Sequence, residues 1–495
     1  MSYRALHNRV NGRLTAKGTP LFSYDDAKAQ EGSNHWSSSE NNRNNGRNQN
    51  FSNGNANNNN KNNSNVIRAV TAFADYTVPA TFLQSVWAAY HDCLRGKMTS
   101  TQAIEYMAIA EQDIPCLAME LWTGTYKPGT STCFLVRYPK WREVFAANFR
   151  DRIVHHWICM RLEPLFEDRF VSQGNLSFNC RKGFGTEAAV AHLRKGMERV
   201  SNCYHKPAWI FRGDLVGFFM SIDKNILWYF LERFITRWRK RCERQGGIII
   251  DQSIYVRLGI TSMPDMYWDI LIRTAKVVVF HHPERDCVLN SPPSWWRHLS
   301  KNKSLFTCDT GEPIGNLTTQ LFANFLMSFF VAYIRFLFRY QNYCFAQFVD
   351  DFALGCDNLQ FLVGSIPKIE YFLSHSLHLR LHKDKRYLQP VPHGILFVGT
   401  FLRPRRDYLS NRTVARFRER CHFFTEVLTE DDVSIVFLQH IEQVLNSYLG
   451  FCQRRQTYAI RKECIESMGD NFWRYFIVRG HYDTVKLKRE YKLLN

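Results

Sequence analysis

Two adjacent carboxylates, Asp350 and Asp351, interrupt the apolar stretch Phe345-Ala-Gln-Phe-Val-Asp-Asp-Phe-Ala-Leu-Gly355. Like charges side by side repel one another unless a cation neutralises them. Apolar residues run up to the pair and resume directly after it. This pattern predicts two β-strands meeting at a tight turn, with the carboxylates at its tip. A solvated Asp-Asp turn would look the same locally, so the rest of the chain must decide between a turn and a metal site.

Asp214 is the natural third member. It follows the β-prone run Ala208-Trp-Ile-Phe211 and precedes Leu-Val-Gly-Phe-Phe219-Met-Ser-Ile-Asp223. Three such carboxylates supply the hard oxygen ligands that Mg²⁺ prefers, with Mn²⁺ as a substitute. Two ions held this way divide the work of nucleotidyl transfer: one lowers the pKa of an attacking 3′-hydroxyl, the other stabilises the leaving pyrophosphate. Asp214 and Asp350 are expected to bridge the ions, with Asp351 the weaker ligand. Asp223 competes with Asp214 for the role, but its Ser-Ile-Asp-Lys-Asn setting predicts a helix N-cap.

The elements that must position these groups follow from periodicity. Thr81 to Arg95 has Phe82, Val86, Trp87 and Tyr90 at helical spacing, and Gln102 to Trp122 predicts a second amphipathic helix. Thr132 to Phe149 alternates like a hairpin, and Arg150 to Phe166 returns to helix. Trp209 to Ile222 reads as strand, turn and helix; Glu312 to Arg339 as a loop feeding a long helix. After Arg405 the pattern is helical to the end. The expected fold is α+β with an all-helical C-terminal domain, and no internal repeat is visible. The longest apolar run, Leu321 to Tyr340, is broken by Asn324, Ser328, Arg335 and Arg339, which predicts a buried helix and not a membrane span.

Bulk properties narrow the partner. The net charge of +19 favours a polyanion, nucleic acid first and acidic membrane second. Basic residues are spread along the chain among aromatics, as in a long charged groove. Fourteen scattered cysteines show no zinc-ligand spacing, which predicts buried thiols in a reducing compartment. His155-His156 and His281-His282 are expected to be packing or surface residues. No apolar signal segment follows the N-terminal Met-Ser-Tyr-Arg, so a soluble, cytoplasmic protein is expected.

Three ordered segments carry a resemblance: Phe211-Arg-Gly-Asp-Leu-Val-Gly-Phe-Phe-Met-Ser-Ile-Asp223, Glu312-Pro-Ile-Gly-Asn-Leu-Thr-Thr-Gln-Leu-Phe-Ala-Asn324 and Phe348-Val-Asp-Asp351. They resemble motifs A, B and C of reverse transcriptases of the bacterial, group II intron-like class. Asn179-Cys-Arg-Lys-Gly-Phe-Gly-Thr186 is similar to the second fingers motif, Leu381-His-Lys-Asp-Lys385 to motif D, and Gly394-Ile-Leu-Phe-Val-Gly399 to the primer grip. Ile314-Gly315-Asn-Leu-Thr-Thr319-Gln320, and the run Lys140 to His155, resemble the diversity-generating retroelement subfamily. Its enzymes copy a template-repeat RNA with errors at adenines, and the cDNA replaces a variable repeat in a target gene. Thr319 stands where Ser is usual, and Gln347 where a basic residue is common.

The resemblance implies a right-hand polymerase fold, with a leader at 1–77, fingers and palm (antiparallel sheet plus helices) at 78–405 and a helical thumb at 406–495. It implies that Asp214, Asp350 and Asp351 are the catalytic metal ligands. Arg142, Leu215, Phe219, Ile314, Gly315, Gln320 and Lys385 would surround the incoming nucleotide: Arg142 lies over it, Phe219 crowds a 2′-hydroxyl, and Ile314 and Gly315 line the templating pair. Lys385 would neutralise departing pyrophosphate. Arg181, Gly394 and Gly399 would contact template and primer. Implied partners are template RNA, the cDNA–primer duplex, dNTPs and a small basic accessory protein, without a membrane.

Between Asn41 and Asn65 more than half the positions are asparagine, which predicts disorder. Asparagine codons begin with two adenines, so the tract also fits a translated template repeat; a near copy ending a neighbouring gene would test that. Three functions stay open: a mutagenic retroelement polymerase; another bacterial reverse transcriptase such as a retron, maturase or defence type; and an inactive RNA-binding protein on a polymerase fold.

Overall fold

The computed structural model describes residues 77–137, 141–245, 250–261, 264–297, 309–430 and 433–491. The asparagine-rich leader therefore lies outside the described residues, Thr77 excepted. The strands, in chain order, are β1 (Thr132–Val136), β2 (Arg142–Ala146), β3 (Trp209–Asp214), β4 (Val288–Leu289), β5 (Tyr343–Phe348), β6 (Asp351–Cys356), β7 (Tyr387–Pro390), β8 (Ile395–Phe397), β9 (Thr400–Arg403), β10 (Arg406–Leu409), β11 (Phe476–Arg479) and β12 (Thr484–Leu487). With helices between them, the fold is mixed α+β.

The central sheet has the order β5-β6-β3-β7, with every neighbouring pair antiparallel. β5 and β6 are apolar nearly throughout because both of their faces are covered. Phe211, Phe345, Phe352 and Leu354 point into the main core, where the helix Leu317–Leu337 packs. Ile210, Cys344, Ala346 and Ala353 alternate onto the other face, under the helix Thr186–Val200. That helix comes very close at Gly196, where an added Cβ would lie 2.4 Å from the Cys344 Cβ.

The helix Leu317–Leu337 is long and apolar enough to cross a membrane, yet most of it is buried in the core, as its polar breaks predict. Phe325 stacks on Phe166 at 4.4 Å, and Phe330 meets Phe352 edge-on at 5.0 Å. Its polar atoms are satisfied by neighbours: Asn324 Nδ2 donates to the Asn179 carbonyl at 3.0 Å, and Arg169 Nε donates to Ser328 Oγ at 2.6 Å. Phe166 belongs to the helix Phe149–Ser172, which starts where Asn148 caps the Asp151 amide.

The β1–β2 hairpin, the first helix and the Asp223 N-cap form as expected. Ala80–Leu94 buries Phe82, Val86, Ala89, Tyr90 and Cys93, and Asp223 Oδ1 accepts from the Asn225 and Ile226 amides. Two expectations change. Gln102 to Trp122 is not one helix but two, Thr101–Met107 and Ala110–Thr123. Glu111 and Asp113 favour a new N-terminus there, and Asp113 is tied down by Tyr106 and Arg150. Nor is the chain beyond residue 405 all helix. Helices at Asn411–Leu428, Ile435–Cys452, Tyr458–Glu466 and Gly469–Tyr475 are preceded by β10 and closed by the β11–β12 hairpin. They enclose their own core, around Phe417, Phe424, Leu438, Leu449 and Phe472. Arg455, buried, joins this region to the rest by donating to Thr400 Oγ1 and to Glu187.

Candidate functional site

The site is built at one end of the central sheet. Asp214 is the last residue of β3, Asp351 the first of β6, and the two face each other in register. Asp350 sits in the two-residue turn between β5 and β6 and is stitched to β3 by the Leu215 amide, which donates to its carbonyl at 3.1 Å. The predicted arrangement, a hairpin tip beside a strand terminus, is therefore present.

The tip is held against its own preference. Val349 has φ +56°, a conformation that a β-branched residue rarely adopts. Asn179 Oδ1 accepts from the Val349 amide at 3.0 Å, and Gln347 Nε2 donates to the Val349 carbonyl at 2.6 Å. Since Asn179 also anchors Asn324, one buried polar network ties the helix Leu317–Leu337 to the carboxylate turn.

Electrostatics explain the surroundings. Burial pushes the Asp351 carboxyl up to about 6, against the pull of Arg212. Arg212 grips it with Nε and Nη2 at 2.8 and 2.9 Å, the geometry of a strong charge-assisted pair. Burial, then the neighbouring Asp214 charge, also raise Asp350, while Arg142 and Lys385 pull it down. Lys385 Nζ bonds Asp214; its loop is placed by residues 380–382, whose backbone pairs with 214–216. Among the described residues no group of three His, Cys, Asp or Glu side chains stands ready to hold a metal ion. Two of the three aspartates are turned to protein cations. The donor set itself, hard carboxylate oxygens crowded where water is scarce, is of the kind that suits a divalent cation.

A second group of expected residues borders the tip. Arg142, exposed, opens β2. The loop before the helix Leu317–Leu337 lies along β2: Phe145 donates to the Ile314 carbonyl at 2.8 Å, and Ala147 to Asn316 Oδ1 at 3.3 Å. Gly315 has φ +127°, and an added Cβ would lie 2.6 Å from the Phe145 carbonyl oxygen, so only glycine fits. Thr319 Oγ1 donates to the Pro313 carbonyl, which shows what its hydroxyl does. The Glu312 amide donates to the Phe219 carbonyl, so Phe219 borders the same loop. Beneath lie Glu312 and Lys224, both buried; burial raises the carboxyl and lowers the amine.

Four expected positions lie apart. Arg181 is not a groove residue: it is buried, its guanidinium taken up by Glu167, Ser177 and Asn175, and stacked 3.7 Å from the Phe184 ring centre. A fully engaged, desolvated guanidinium braces the interior and cannot also reach a phosphate. Gly394 and Gly399 flank β8, in the separate sheet β10-β9-β8 next to the C-terminal helices. Gln320 is exposed and accepts from Cys180 Sγ at 3.4 Å. Arg212, Asn179 and Gln347 were not expected. Arg212 had a visible sign, since two residues before Asp214 on a strand means the same face.

No family model and no curated protein matches the chain. Among solved structures, it is similar to telomerase from Candida albicans in complex with a fragment of telomeric RNA, at 10% identity over 70% of this chain and 61% of that one, with a TM-score of 0.39. It is also similar to apo telomerase from Candida tropicalis, at 12% identity over 70% and 63%, with a TM-score of 0.38. The chain thus spans about three fifths of the length of these structures.

Proposed function

We propose that the chain is an RNA-directed DNA polymerase. The observation that carries this is the meeting of Asp214, Asp350 and Asp351 at one sheet end, bordered by Arg142, Lys385 and the Ile314–Gly315 loop. Asp214, Asp350 and Asp351 would hold Mg²⁺ or Mn²⁺, which would activate a primer 3′-hydroxyl and stabilise departing pyrophosphate. Lys385, bonded to Asp214 in the free chain, would follow the phosphate charge. Arg142 offers an exposed planar cation for a triphosphate. Phe219 and Leu215 would border the nucleotide; Gln320, Gly394 and Gly399, which lie apart from the aspartates, would have to be reached by the nucleotide or primer as it extends from them.

The finer proposal is a diversity-generating retroelement enzyme, cytoplasmic and bacterial or phage-encoded. It copies a template-repeat RNA with errors at adenines and works with a small basic accessory protein. Its support is the Ile314-Gly315…Thr319-Gln320 pattern. The domains correspond to fingers and palm at 78–405 and thumb at 406–495.

Primer extension on an RNA template with Mg²⁺ tests the activity. The Asp350→Ala, Asp351→Ala double variant is expected to lose it by at least about 10³-fold, and equal activity would reject the site. Sequencing the cDNA tests the subtype, because errors spread evenly over the four template bases would reject it.

A further inference from the structure

The helix Lys224–Gln245 buries Leu227, Trp228, Leu231, Ile235 and Trp238 and turns its other side to solvent. On that side Tyr229, Arg233, Arg237, Lys240 and Arg244 recur at intervals of four, four, three and four residues, all exposed. They form one stripe about 22 Å long at about 1.5 Å per residue. Arg233 lies over the Tyr229 ring at 5.1 Å. Among the described residues no carboxylate pairs with the four cations. Glu243 is taken by Arg239, which also binds Asp269, and only Glu232 lies beside the stripe. Arg241, on the flank, stacks on Trp238 and faces Asp168.

Arg237 also bears on Arg169, whose guanidinium is bonded to Ser328 Oγ and lies 4.2 Å from the Phe329 ring centre. Burial, then the Arg237 charge, push Arg169 down to about 10. Cations are thus set next to one another with no acid between them. That costs folding energy unless an anion from outside completes the surface. Cations spaced about 5–6 Å apart along a rigid rod suit a partner that presents a negative charge at every repeat. The exposed Tyr229 ring adds a stacking surface for a base. A membrane is a poor match, because the stripe offers no apolar residue beyond Tyr229 to enter a bilayer.

We propose that this face is a second RNA-binding surface, outside the aspartate site, that grips the phosphate backbone of the RNA being copied. The identity of the polyanion as RNA rests on the polymerase function proposed above. Contacts here are to phosphates, so they hold RNA without regard to sequence.

The test measures binding of a fluorescein-labelled single-stranded RNA to the full chain by anisotropy across a salt series. The variant carries Arg233→Gln, Arg237→Gln, Lys240→Gln and Arg244→Gln. Its affinity is expected to fall about tenfold or more, and its log K against log salt slope by about 3, the value for four phosphate contacts. The matching variant with Lys at all four positions should bind like the parent. If the Gln variant does not fold, as judged by circular dichroism, Arg237→Glu replaces it, with a slope lower by about one. Unchanged affinity and slope would overturn the proposal. So would a loss confined to phosphatidylglycerol vesicles or polyglutamate with RNA binding intact. Extension of a primer–template too short to reach from the aspartates to the stripe should be unaffected. A parent that binds RNA through the stripe but extends no primer would reject the polymerase function and leave this surface standing.

Discussion

The two charged regions of the molecule obey opposite rules. At the sheet end, charges sit where water is scarce, and nearly every one has a protein partner: Asp351 with Arg212, Asp214 with Lys385. Along the helix Lys224–Gln245, four cations stand in water with no acid partner among the described residues. The difference follows from desolvation. A half-buried carboxylate without a counter-ion costs several kcal/mol or gives up its charge, whereas an exposed cation costs only the weak, salt-screened repulsion of its neighbours. The first region therefore needs counter-charges even in the free chain, which Arg212 and Lys385 supply; the second can wait for an external partner. Perturbations should accordingly be large at the tip and small on the stripe.

The largest effect tests the rule at a buried ionisable group with no counter-ion. His155 is buried against Thr318, and burial first, then the charges of His281, His156 and Arg152, lower it to about 3 from 6.5. Above pH 6.5 neither folded nor unfolded chain protonates it. As pH falls below 6.5 the unfolded chain binds a proton that the folded chain refuses, so stability is lost from there down to about 3. Between pH 7.5 and 5.0 this amounts to about 2 kcal/mol at about 1.4 kcal/mol per pH unit. Urea unfolding of the parent and of His155→Gln at both pH values should show a difference smaller by that amount in the variant. An unchanged difference would mean that His155 is protonated in the fold.

Next comes Gly315→Ala. The left-handed φ and the Phe145 carbonyl both oppose a side chain there, and a loss of about 1–3 kcal/mol is expected. Because the Ile314 carbonyl is bonded to Phe145, the substitution should also raise the KM for dNTP in primer extension. A variant with the parent's unfolding midpoint would show that the loop does not lie against β2.

Much of this was legible in the chain, and the failures share a cause. Asp214, Asp350 and Asp351 announce themselves because their apolar flanks require a strand end and a turn. The Asp223 cap and the buried helix around Asn324 follow from local chemistry alone. Arg181 misled because the resemblance of Asn179–Thr186 to the second fingers motif implied a template contact. Glu167, on the helix Phe149–Ser172, claims it, and no local pattern reveals that. Asn179 and Gln347 were invisible for the same reason: their task is to hold Val349 at a positive φ, and that strain exists only once the turn is closed. The β11–β12 hairpin is different. Phe476-Ile-Val-Arg and Thr484-Val-Lys-Leu487 around Gly480 carry β-branched residues and a turn glycine, so the strand signal was local and the helical expectation overlooked it.

A smaller effect is expected for Arg212→Gln, which leaves Asp351 without its bidentate partner. The pair is half-buried, so solvent recovers part of the loss and about 1–2 kcal/mol is expected. Thermal unfolding should register this as a drop of several degrees or less, since a chain of this size dilutes it. Arg212→Lys should recover only part, because an ammonium cannot reproduce the two parallel bonds.

The smallest effect is the sharpest test of the contrast. Lys240→Gln removes one of the four cations and breaks no hydrogen bond or ion pair among the described residues, so its change in stability should stay within about 0.5 kcal/mol. Its sign is informative. A stripe of uncompensated like charge repels itself, and thinning it should stabilise the free chain slightly, most visibly at low salt where the Debye length is long. Unfolding midpoints of parent and variant at low and high salt decide this: the gain should shrink as salt rises. A clear destabilisation would mean that Lys240 has a partner within the fold, and the two regions would then follow the same rule.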